Sequence, residues 1–237
     1  MSGSKTMCIS HEYNMKIIAH VRTCYGEKFG VPRQAGLVDK AWGKLVFEPD
    51  FRNTDALRGL DGFSHVWLVF VFHQAIRDEW KPTVRPPRLG GNDKVGVFAS
   101  RSPFRPNPIG LSCVKLEQID YSCEENPTLK LSGVDLVDDT PVLDIKPYIP
   151  YADCLPDAKH GFAQGAPRLS KITWADDASA ELLGSTRQLI ADTLACDPRP
   201  AYQQDDPERE YGCLIDGYNV RWLANERGIK ILSCSLV

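Results

Sequence analysis

Two arginines and an asparagine lie among prolines in residues 101–108, which read R-S-P-F-R-P-N-P. Each proline fixes φ near about −65° and lacks an N–H group, so this segment cannot continue a helix or a ladder. Guanidinium groups bind carboxylates and phosphates, often through two parallel hydrogen bonds. The pattern predicts a rigid loop that binds an anionic or planar ligand through Arg101, Arg105 and Asn107. The alternative is a stiff surface turn whose arginines are solvated.

Other polar segments supply further parts of a ligand site. A ligand with a carboxylate, a ribose and a purine needs a cation or N–H donors, a carboxylate for its hydroxyls and an apolar slot. Matching residues are Arg101, the backbone of Gln34 to Gly36, Asp135 or Asp138, and Leu111 with Phe72. S-adenosylmethionine has these parts, and so do other nucleotides. The residues alone therefore predict a nucleotide-like ligand.

Charge and composition limit the partners of the chain. The net charge of its 237 residues is −3, which argues against a protein that coats nucleic acid over its whole surface. The stretch from Arg77 to Arg105 is basic, however, and favours a phosphate-bearing partner there; the alternative is a solvated face. The polar start, and apolar runs too short for the ~20 residues of a membrane span, predict a cytoplasmic protein.

The eight cysteines include no C-x-x-C pair, so free thiols in a reducing compartment are predicted. One arrangement has zinc-like spacings, with Cys8 three residues before His11 and His20 four residues before Cys24. A predicted strand, 15–21, separates these pairs, and no turn brings the second pair back to the first. We therefore predict no metal site.

Several short apolar segments predict a protein that is mainly β. The strongest is 63–73, which is expected to be buried on both faces or to form the inner wall of a closed sheet. His73, at its end, is either a ligand contact or a satisfied structural histidine. No crossover helices are evident before residue 150, so a doubly wound parallel sheet is unfavoured and a closed β-barrel of non-Rossmann type is predicted.

The residue pattern changes after Tyr151, from short apolar strand segments to a mixture of helix and strand patterns. A connector rich in Gly and Pro precedes an amphipathic helix, about 179–195, and two closing strands, about 218–223 and 229–236. This pattern predicts two domains: a β-barrel over residues 15–151 and a small α+β domain over residues 152–237.

Several strings resemble the TsaA-like family, whose better-studied members are the TrmO tRNA methyltransferases. They are P-R-Q-x-G-L (32–37), F-S-H-V-W (63–67), V-F-H-Q (71–74), R-P-P-R-L-G-G-N (85–92), R-S-P-F-R-P-N-P-I-G (101–110) and D-L-V-D-D-T-P (135–141). The tail also resembles family members, through D-P-R-P-A-Y (197–202) and Y-N-V-R-W (218–222). Two positions depart from common family residues: Ala35 replaces a Pro and Asp139 replaces a Gly.

The resemblance implies a homodimeric β-barrel methyltransferase that uses S-adenosylmethionine, held close to the subunit interface. The implied acceptor is the exocyclic nitrogen of threonylcarbamoyl-adenosine beside the anticodon, chiefly in threonine tRNA. The cofactor contacts that follow from the motifs are Gln34, Ala35, Gly36, Phe72, His73, Arg101, Leu111, Asp135, Leu136, Val137 and Asp138.

The chemistry of that reaction singles out further residues. Asn107 and Asp138 are candidate catalytic groups, since each lies in a matched loop, and Asp138 is equally a candidate ribose ligand. Arg105 is a candidate for binding phosphate or the threonyl carboxylate, and Arg199, Tyr202 and Arg221 are candidates for binding tRNA. Trp222 either stacks a base or completes the core. Two alternative functions are a non-catalytic module that binds S-adenosylmethionine or RNA, and a methyltransferase with another acceptor.

Overall fold

The computed structural model describes residues 12–90, 93–123, 125–178, 182–199 and 206–237. Six antiparallel strands close into a barrel in the order β1-β2-β7-β6-β3-β8. These strands are β1 (Ala19–Thr23), β2 (Trp42–Phe47), β3 (His65–Val71), β6 (Ile109–Asp120), β7 (Thr128–Ser132) and β8 (Thr140–Pro147). The predicted fold class, a mainly β protein with a closed barrel, is confirmed.

The barrel core comes from alternate residues of each strand. In β3, Val66, Leu68 and Phe70 are buried, whereas the residues between them are half-buried. Successive side chains of a strand point to opposite faces, so this pattern marks one inner face. Of the two possibilities for this segment, the inner wall of a closed sheet is the one found.

The C-terminal part is a four-stranded sheet, in the order β10-β11-β12-β9, with one helix. Its elements are β9 (Ile172–Trp174), α2 (Gly184–Ala195), β10 (Tyr211–Ile215), β11 (Tyr218–Asn225) and β12 (Gly228–Leu236). The short α1 (Pro150–Asp153) follows the barrel. Strands β9 and β10 were not predicted from the sequence: β9 has only three residues, and Gly212 weakens the strand pattern of β10.

Three local predictions need correction. The first strand begins at Ala19 rather than Met15, which is exposed. Helix α2 begins at Gly184; Leu183 precedes it in extended backbone, and residues 179–181 lie outside the described residues. Residues 78–93, expected to be wholly irregular, contain the two-residue strand β4 (Thr83–Val84), which pairs with β5 (Val95–Gly96).

The loop after β1 joins the barrel to the C-terminal part. Tyr25 is fully buried in the core cluster that spans both parts, and its hydroxyl lies 3.1 Å from Thr193 Oγ1 on α2. Phe29, also in this loop, stacks on Tyr211 and Trp222 of the C-terminal sheet. Because both parts share one core, the division at residues 151 and 152 stays a prediction.

Asp216, in the turn between β10 and β11, connects three elements. Its carboxylate accepts hydrogen bonds from Trp42 Nε1 (2.9 Å) and Thr186 Oγ1 (2.8 Å), and its N–H donates to Cys24 O (2.7 Å). Its φ of 53° lies in the left-handed region, which Asp and Asn tolerate better than most residues.

We expect Asp216→Ala to lower the free energy of unfolding by about 2 kcal/mol, because two hydrogen bonds to a carboxylate are lost. Asp216→Asn should retain most of the stability, since it tolerates the same φ and keeps one acceptor. Urea unfolding of both variants measures this difference. Equal stability of Asp216→Ala and the wild type would contradict the connecting role.

Candidate active site

The predicted site residues gather at one end of the barrel. We call this end the barrel mouth and define it by loops 24–36, 72–76, 101–108 and 133–139. The loops meet there because β1 and β3 end, and β8 begins, at matching levels of the antiparallel ladder: Val21 pairs with Thr140, and Phe70 with Val142. The rigid loop between β5 and β6 returns to the same end, where Phe72 N donates to Pro108 O over 2.8 Å.

Loop 33–36 contacts two other segments of the predicted cofactor site, the proline-rich loop and the loop that carries Asp135. Arg101 Nη1 donates to Gln34 Oε1, which joins the proline-rich loop to this segment. Gly36 N donates to Gly133 O over 2.8 Å, beside the loop that carries Asp135. Gly36 has φ of 75°, and a Cβ placed on it meets nothing within 4 Å, so its backbone is open to a ligand.

Asp135 is a buried carboxyl group with spare hydrogen-bonding capacity. Burial raises the pKa of Asp135 from 3.8 to about 6, although the Ser112 hydroxyl, the Ala35 N–H and the charge of Arg101 act in the opposite direction. Its Oδ1 is buried and has no hydrogen-bond partner among the described residues. A buried acceptor without a partner is costly, so a ligand that donates a hydrogen bond to it is stabilised there.

Asp138 is restrained by neighbouring donors. Thr23 N donates to Asp138 Oδ1 over 2.8 Å, and Arg22 Nη2 lies 2.7 Å from Asp138 Oδ2. The N–H of Asp138 in turn donates to Tyr25 O over 2.7 Å. Each oxygen of this carboxylate already has a donor, so Asp138 orders the loop in addition to facing the barrel mouth.

Leu136 and Val137 order the loop between Asp135 and Asp138 mainly through hydrogen bonds to their backbone carbonyls. Leu136 is 2% exposed, and its side chain belongs to the core cluster. Its carbonyl accepts from Thr23 Oγ1 over 2.9 Å, and the carbonyl of Val137 accepts from Thr140 Oγ1 over 2.6 Å. These bonds fix the loop between Asp135 and Asp138.

Phe72 and His73 lie on the turn that follows β3. Phe72 packs edge-on against Phe70, with ring centroids 5.0 Å apart. Burial lowers the pKa of His73, opposed by the charge of Asp139, and so favours the neutral form of its imidazole. Leu111 lies elsewhere: it is 55% exposed on the outer face of β6, opposite the inward-facing Ser112.

The proline-rich loop is braced by Arg105. Its Nη1 donates to the carbonyls of Val97 (3.2 Å) and Ser100 (2.8 Å), so this guanidinium is partly used inside the loop. Arg101 and Asn107 are exposed at the barrel mouth. Arg105 therefore does not fit the alternative interpretation of this loop, in which its arginines are freely solvated.

The predicted tRNA contacts of the C-terminal part lie in different surroundings. Arg199 is 7% exposed and pairs with Asp197 through two nitrogens, each at 2.9 Å. Arg221 is exposed and pairs with Glu210 at 2.6 Å. Trp222 is fully buried, so it completes the core and is not available to stack a base. Tyr202 lies outside the described residues.

Two residues that contact the barrel mouth from neighbouring strands were missed in the sequence. Ser112 approaches Asp135, and Arg22 pairs with Asp138. The alternation I-G-L-S-C in β6 could have placed Ser112 on the inner face, since Gly110 and Ser112 share it. No comparable signal marks Arg22 in β1, because its partner Asp138 lies 116 residues further along the chain, in the loop before β8.

The barrel mouth fits S-adenosylmethionine chemically. The buried Oδ1 of Asp135 lacks a donor, which a ribose hydroxyl or the ammonium group of the ligand could supply. Arg101 donates a hydrogen bond to the neutral side-chain amide of Gln34, and a charged carboxylate is a stronger acceptor that competes well for this guanidinium. As for metals, the described residues contain no group of three or more His, Cys, Asp or Glu side chains that could hold an ion.

Comparison with known proteins gives the same assignment. A family model for the tRNA-methyltransferase O N-terminal domain matches residues 20–154, and one for the TrmO C-terminal domain matches residues 168–236. The chain is 44% identical over 229 residues to the tRNA (adenine(37)-N6)-methyltransferase of Escherichia coli K12, covering 93% of this chain and 97% of the relative. It is 46% identical over 217 residues to a putative S-adenosylmethionine-dependent methyltransferase, RcsF, of Pseudomonas aeruginosa, covering 89% and 92%.

A solved structure agrees with these relatives. The crystal structure of TrmO from P. aeruginosa superposes with a TM-score of 0.79 at 37% identity, covering 97% of this chain and all of that one. Fold and site together define a closed-barrel protein of the TrmO type. The chain belongs to the tRNA-methyltransferase O family, and the resemblance noted in the sequence is confirmed.

Proposed function

We propose that this chain is an S-adenosylmethionine-dependent tRNA methyltransferase that methylates N6 of adenosine 37, the activity for which its E. coli relative is named. The observation that carries this proposal is the buried Oδ1 of Asp135, which has no hydrogen-bond partner in the described part of the chain and lies near Arg101 and the open backbone at Gly36. We further propose threonylcarbamoyl-adenosine, chiefly in threonine tRNA, as the acceptor. The family resemblance supports that choice.

In this proposal the protein acts mainly by positioning. When bound, S-adenosylmethionine supplies an electrophilic methyl group on a sulfonium. Well-oriented reactants gain about 7–11 kcal/mol over free encounter, which is the largest contribution available here. The acceptor nitrogen lies between a purine and a carbonyl, so it is a poor nucleophile with an acidic proton, and a weak hydrogen-bond acceptor suffices.

Asn107 and Asp138 remain the candidate catalytic residues, and the geometry favours Asn107 as the one that faces the acceptor. Asn107 is exposed on a loop that its prolines keep stiff. Asp138 already accepts from Thr23 N and pairs with Arg22, which suits a carboxylate that positions a loop or a ribose.

We therefore expect Asp138→Asn to lower kcat less than about tenfold, because a base would contribute 10²–10⁴-fold. The measurement is methyl transfer under saturating tRNA and cofactor, with calorimetric titration of S-adenosylhomocysteine as the control for the site. A fall in kcat of a thousandfold with unchanged affinity would make Asp138 the base instead.

We also propose that the protein acts as a homodimer in the cytoplasm. The outer face of the barrel carries two exposed apolar residues on β6, Ile109 (37%) and Leu111 (55%). Burying such side chains against a second copy is favourable, and it would explain why Leu111 appears among the expected cofactor contacts while facing outward. Analytical ultracentrifugation tests the dimer.

The described residues contain no helix long and apolar enough to cross a membrane.

The decisive experiment measures transfer of labelled methyl from S-adenosylmethionine to tRNA, with and without the threonylcarbamoyl modification. Label at the exocyclic nitrogen of the modified tRNA alone is the expected result. Cofactor binding without transfer to either pool would favour a non-catalytic binding module, and transfer elsewhere would indicate another acceptor. Failure to bind the cofactor would overturn the proposal.

A further inference from the structure

Two exposed aromatic rings lie beside the proline-rich loop. Phe98 is 73% exposed and Trp80 is 49% exposed, and their ring centroids are 6.1 Å apart. The guanidinium of Arg105 lies 5.9 Å from the Phe98 ring, and that of Arg77 lies 3.8 Å from the ring of Phe104. Large exposed aromatic groups with adjacent arginines mark a binding surface rather than ordinary solvent-facing residues.

The local structure orders the backbone that carries these exposed rings. Val97, next to Phe98, is 1% exposed, and its N–H donates to Pro82 O over 2.9 Å. The β4–β5 pairing continues this contact and brings the segment of Trp80 beside that of Phe98. Arg105 then bonds the carbonyls of Val97 and Ser100 on either side of the ring. A ring carried on an ordered backbone loses less conformational entropy when a ligand stacks on it.

The same turn also reaches the candidate active site. Ser100 Oγ donates to Val97 O over 2.8 Å, and the next residue, Arg101, donates to Gln34 of loop 33–36. A group that stacks on Phe98 is therefore connected to the barrel mouth through three consecutive residues. The aromatic surface therefore adjoins the barrel mouth along the chain.

Charge decides which partner suits this surface. From Arg77 to Arg105 the sequence has seven Lys and Arg residues against three acids, within a chain whose net charge is −3. A second copy placed symmetrically on this surface would oppose like charges. A polyanion with exposed planar groups, by contrast, is complementary in both charge and shape.

We infer that Phe98 and Trp80 form a stacking platform for an unpaired base of the RNA, next to the base that receives the methyl group. The inference rests on the proposed function for the identity of the RNA and extends it by naming the surface that holds the loop. Aromatic stacking selects unpaired bases, because bases in a duplex already stack on each other. The platform therefore favours a splayed anticodon loop over a paired stem.

The test compares five proteins: wild type, Phe98→Leu, which removes the ring but keeps an apolar side chain, Phe98→Tyr, which keeps the ring, Trp80→Leu, and Tyr151→Ala. Tyr151 is 90% exposed on α1, after the opposite end of β8, and serves as the matched control. The probes are a synthetic anticodon stem-loop of a threonine tRNA and a blunt RNA duplex of the same stem. Fluorescence anisotropy gives their affinities, and calorimetry gives the affinity for S-adenosylhomocysteine.

Phe98→Leu is expected to bind the stem-loop about 5- to 100-fold more weakly, as the loss of one stacked base predicts, and to raise KM for tRNA. Duplex binding and cofactor affinity should not change, and Phe98→Tyr and Tyr151→Ala should match the wild type. Trp80→Leu should reproduce the effect in part.

Three results would overturn the inference: unchanged stem-loop affinity in Phe98→Leu, an equal loss for the duplex, or a loss of dimer in analytical ultracentrifugation, which would assign the surface to a second copy. Failure of the proposed function is distinguishable. If the wild type methylated no tRNA but the variants still showed the predicted pattern of stem-loop affinities, the enzymatic proposal would be contradicted and the stacking platform would still be supported.

Discussion

Asp135→Asn is expected to weaken binding of S-adenosylhomocysteine about 10- to 100-fold while making the ligand-free protein more stable above pH 6. The binding loss follows because a hydrogen bond to a charged acceptor contributes about 1.5–3 kcal/mol. The stability gain follows because the wild-type protein keeps a carboxylate buried, with Oδ1 lacking a partner among the described residues.

The pH dependence has a definite sign. Folding raises the pKa of Asp135 from 3.8 to about 6, so the folded state binds the proton more tightly than the unfolded state. The wild type is then most stable, with respect to this group, below 3.8, loses stability as the pH rises to about 6 and stays level above it. The loss is on the order of 3 kcal/mol, since one pKa unit equals about 1.36 kcal/mol.

Urea unfolding across this pH range tests the effect, with Asp135→Asn as the variant in which the slope disappears. Ligand affinity should follow the opposite course, rising as Asp135 ionises, because the carboxylate form accepts hydrogen bonds from the ligand. Identical pH profiles for the wild type and Asp135→Asn would contradict the assignment.

Gly110→Ala is expected to lower the free energy of unfolding by about 3 kcal/mol, at the upper end of the usual cost of overpacking a core. A Cβ on Gly110 would overlap the Phe70 ring in the barrel interior. Phe70 is itself packed against Phe72, so it cannot move without disturbing the turn that carries His73. We therefore expect weaker cofactor binding as well.

A control substitution at Gly96 and a compensating substitution at Phe70 test whether the overlap with the Phe70 ring causes this loss. Gly96 is exposed, and a Cβ there meets nothing within 4 Å, so Gly96→Ala should leave the urea midpoint unchanged. Combining Gly110→Ala with Phe70→Leu should recover part of the loss, because the smaller side chain makes room. If the double variant were as unstable as the sum of the two single variants, the overlap would not be the cause.

The barrel could be predicted because its determinants are local. Alternating apolar residues, the long apolar segment 63–73 and the lack of crossover helices each indicate a closed sheet without knowledge of pairing. The loops predicted to bind the cofactor were identified from their sequence strings, and the structure brings Gln34, Arg101 and Asp135 close together.

What escaped prediction depends on contacts between distant residues. Trp80 and Phe98 meet only because a two-residue ladder pairs Thr83 with Gly96, too short to leave a sequence pattern. The roles of Arg199 and Trp222 depend on burial, which neither a basic nor an aromatic residue type reveals by itself. Residue type gave the chemistry, and long-range packing decided whether it faces solvent.

The loop from Tyr25 to Gly36 has one consequence for protein engineering. Its first half is inserted into the C-terminal core through Tyr25 and Phe29, and its second half presents the backbone at the barrel mouth. A truncated protein that ends at Tyr151 would expose the rings of Tyr25 and Phe29. It would also lose the contacts that hold the second half of this loop in place at the barrel mouth. A minimal catalytic barrel would first need polar replacements at Tyr25 and Phe29 and a new anchor for Arg33, whose Nη2 now donates to Arg199 O.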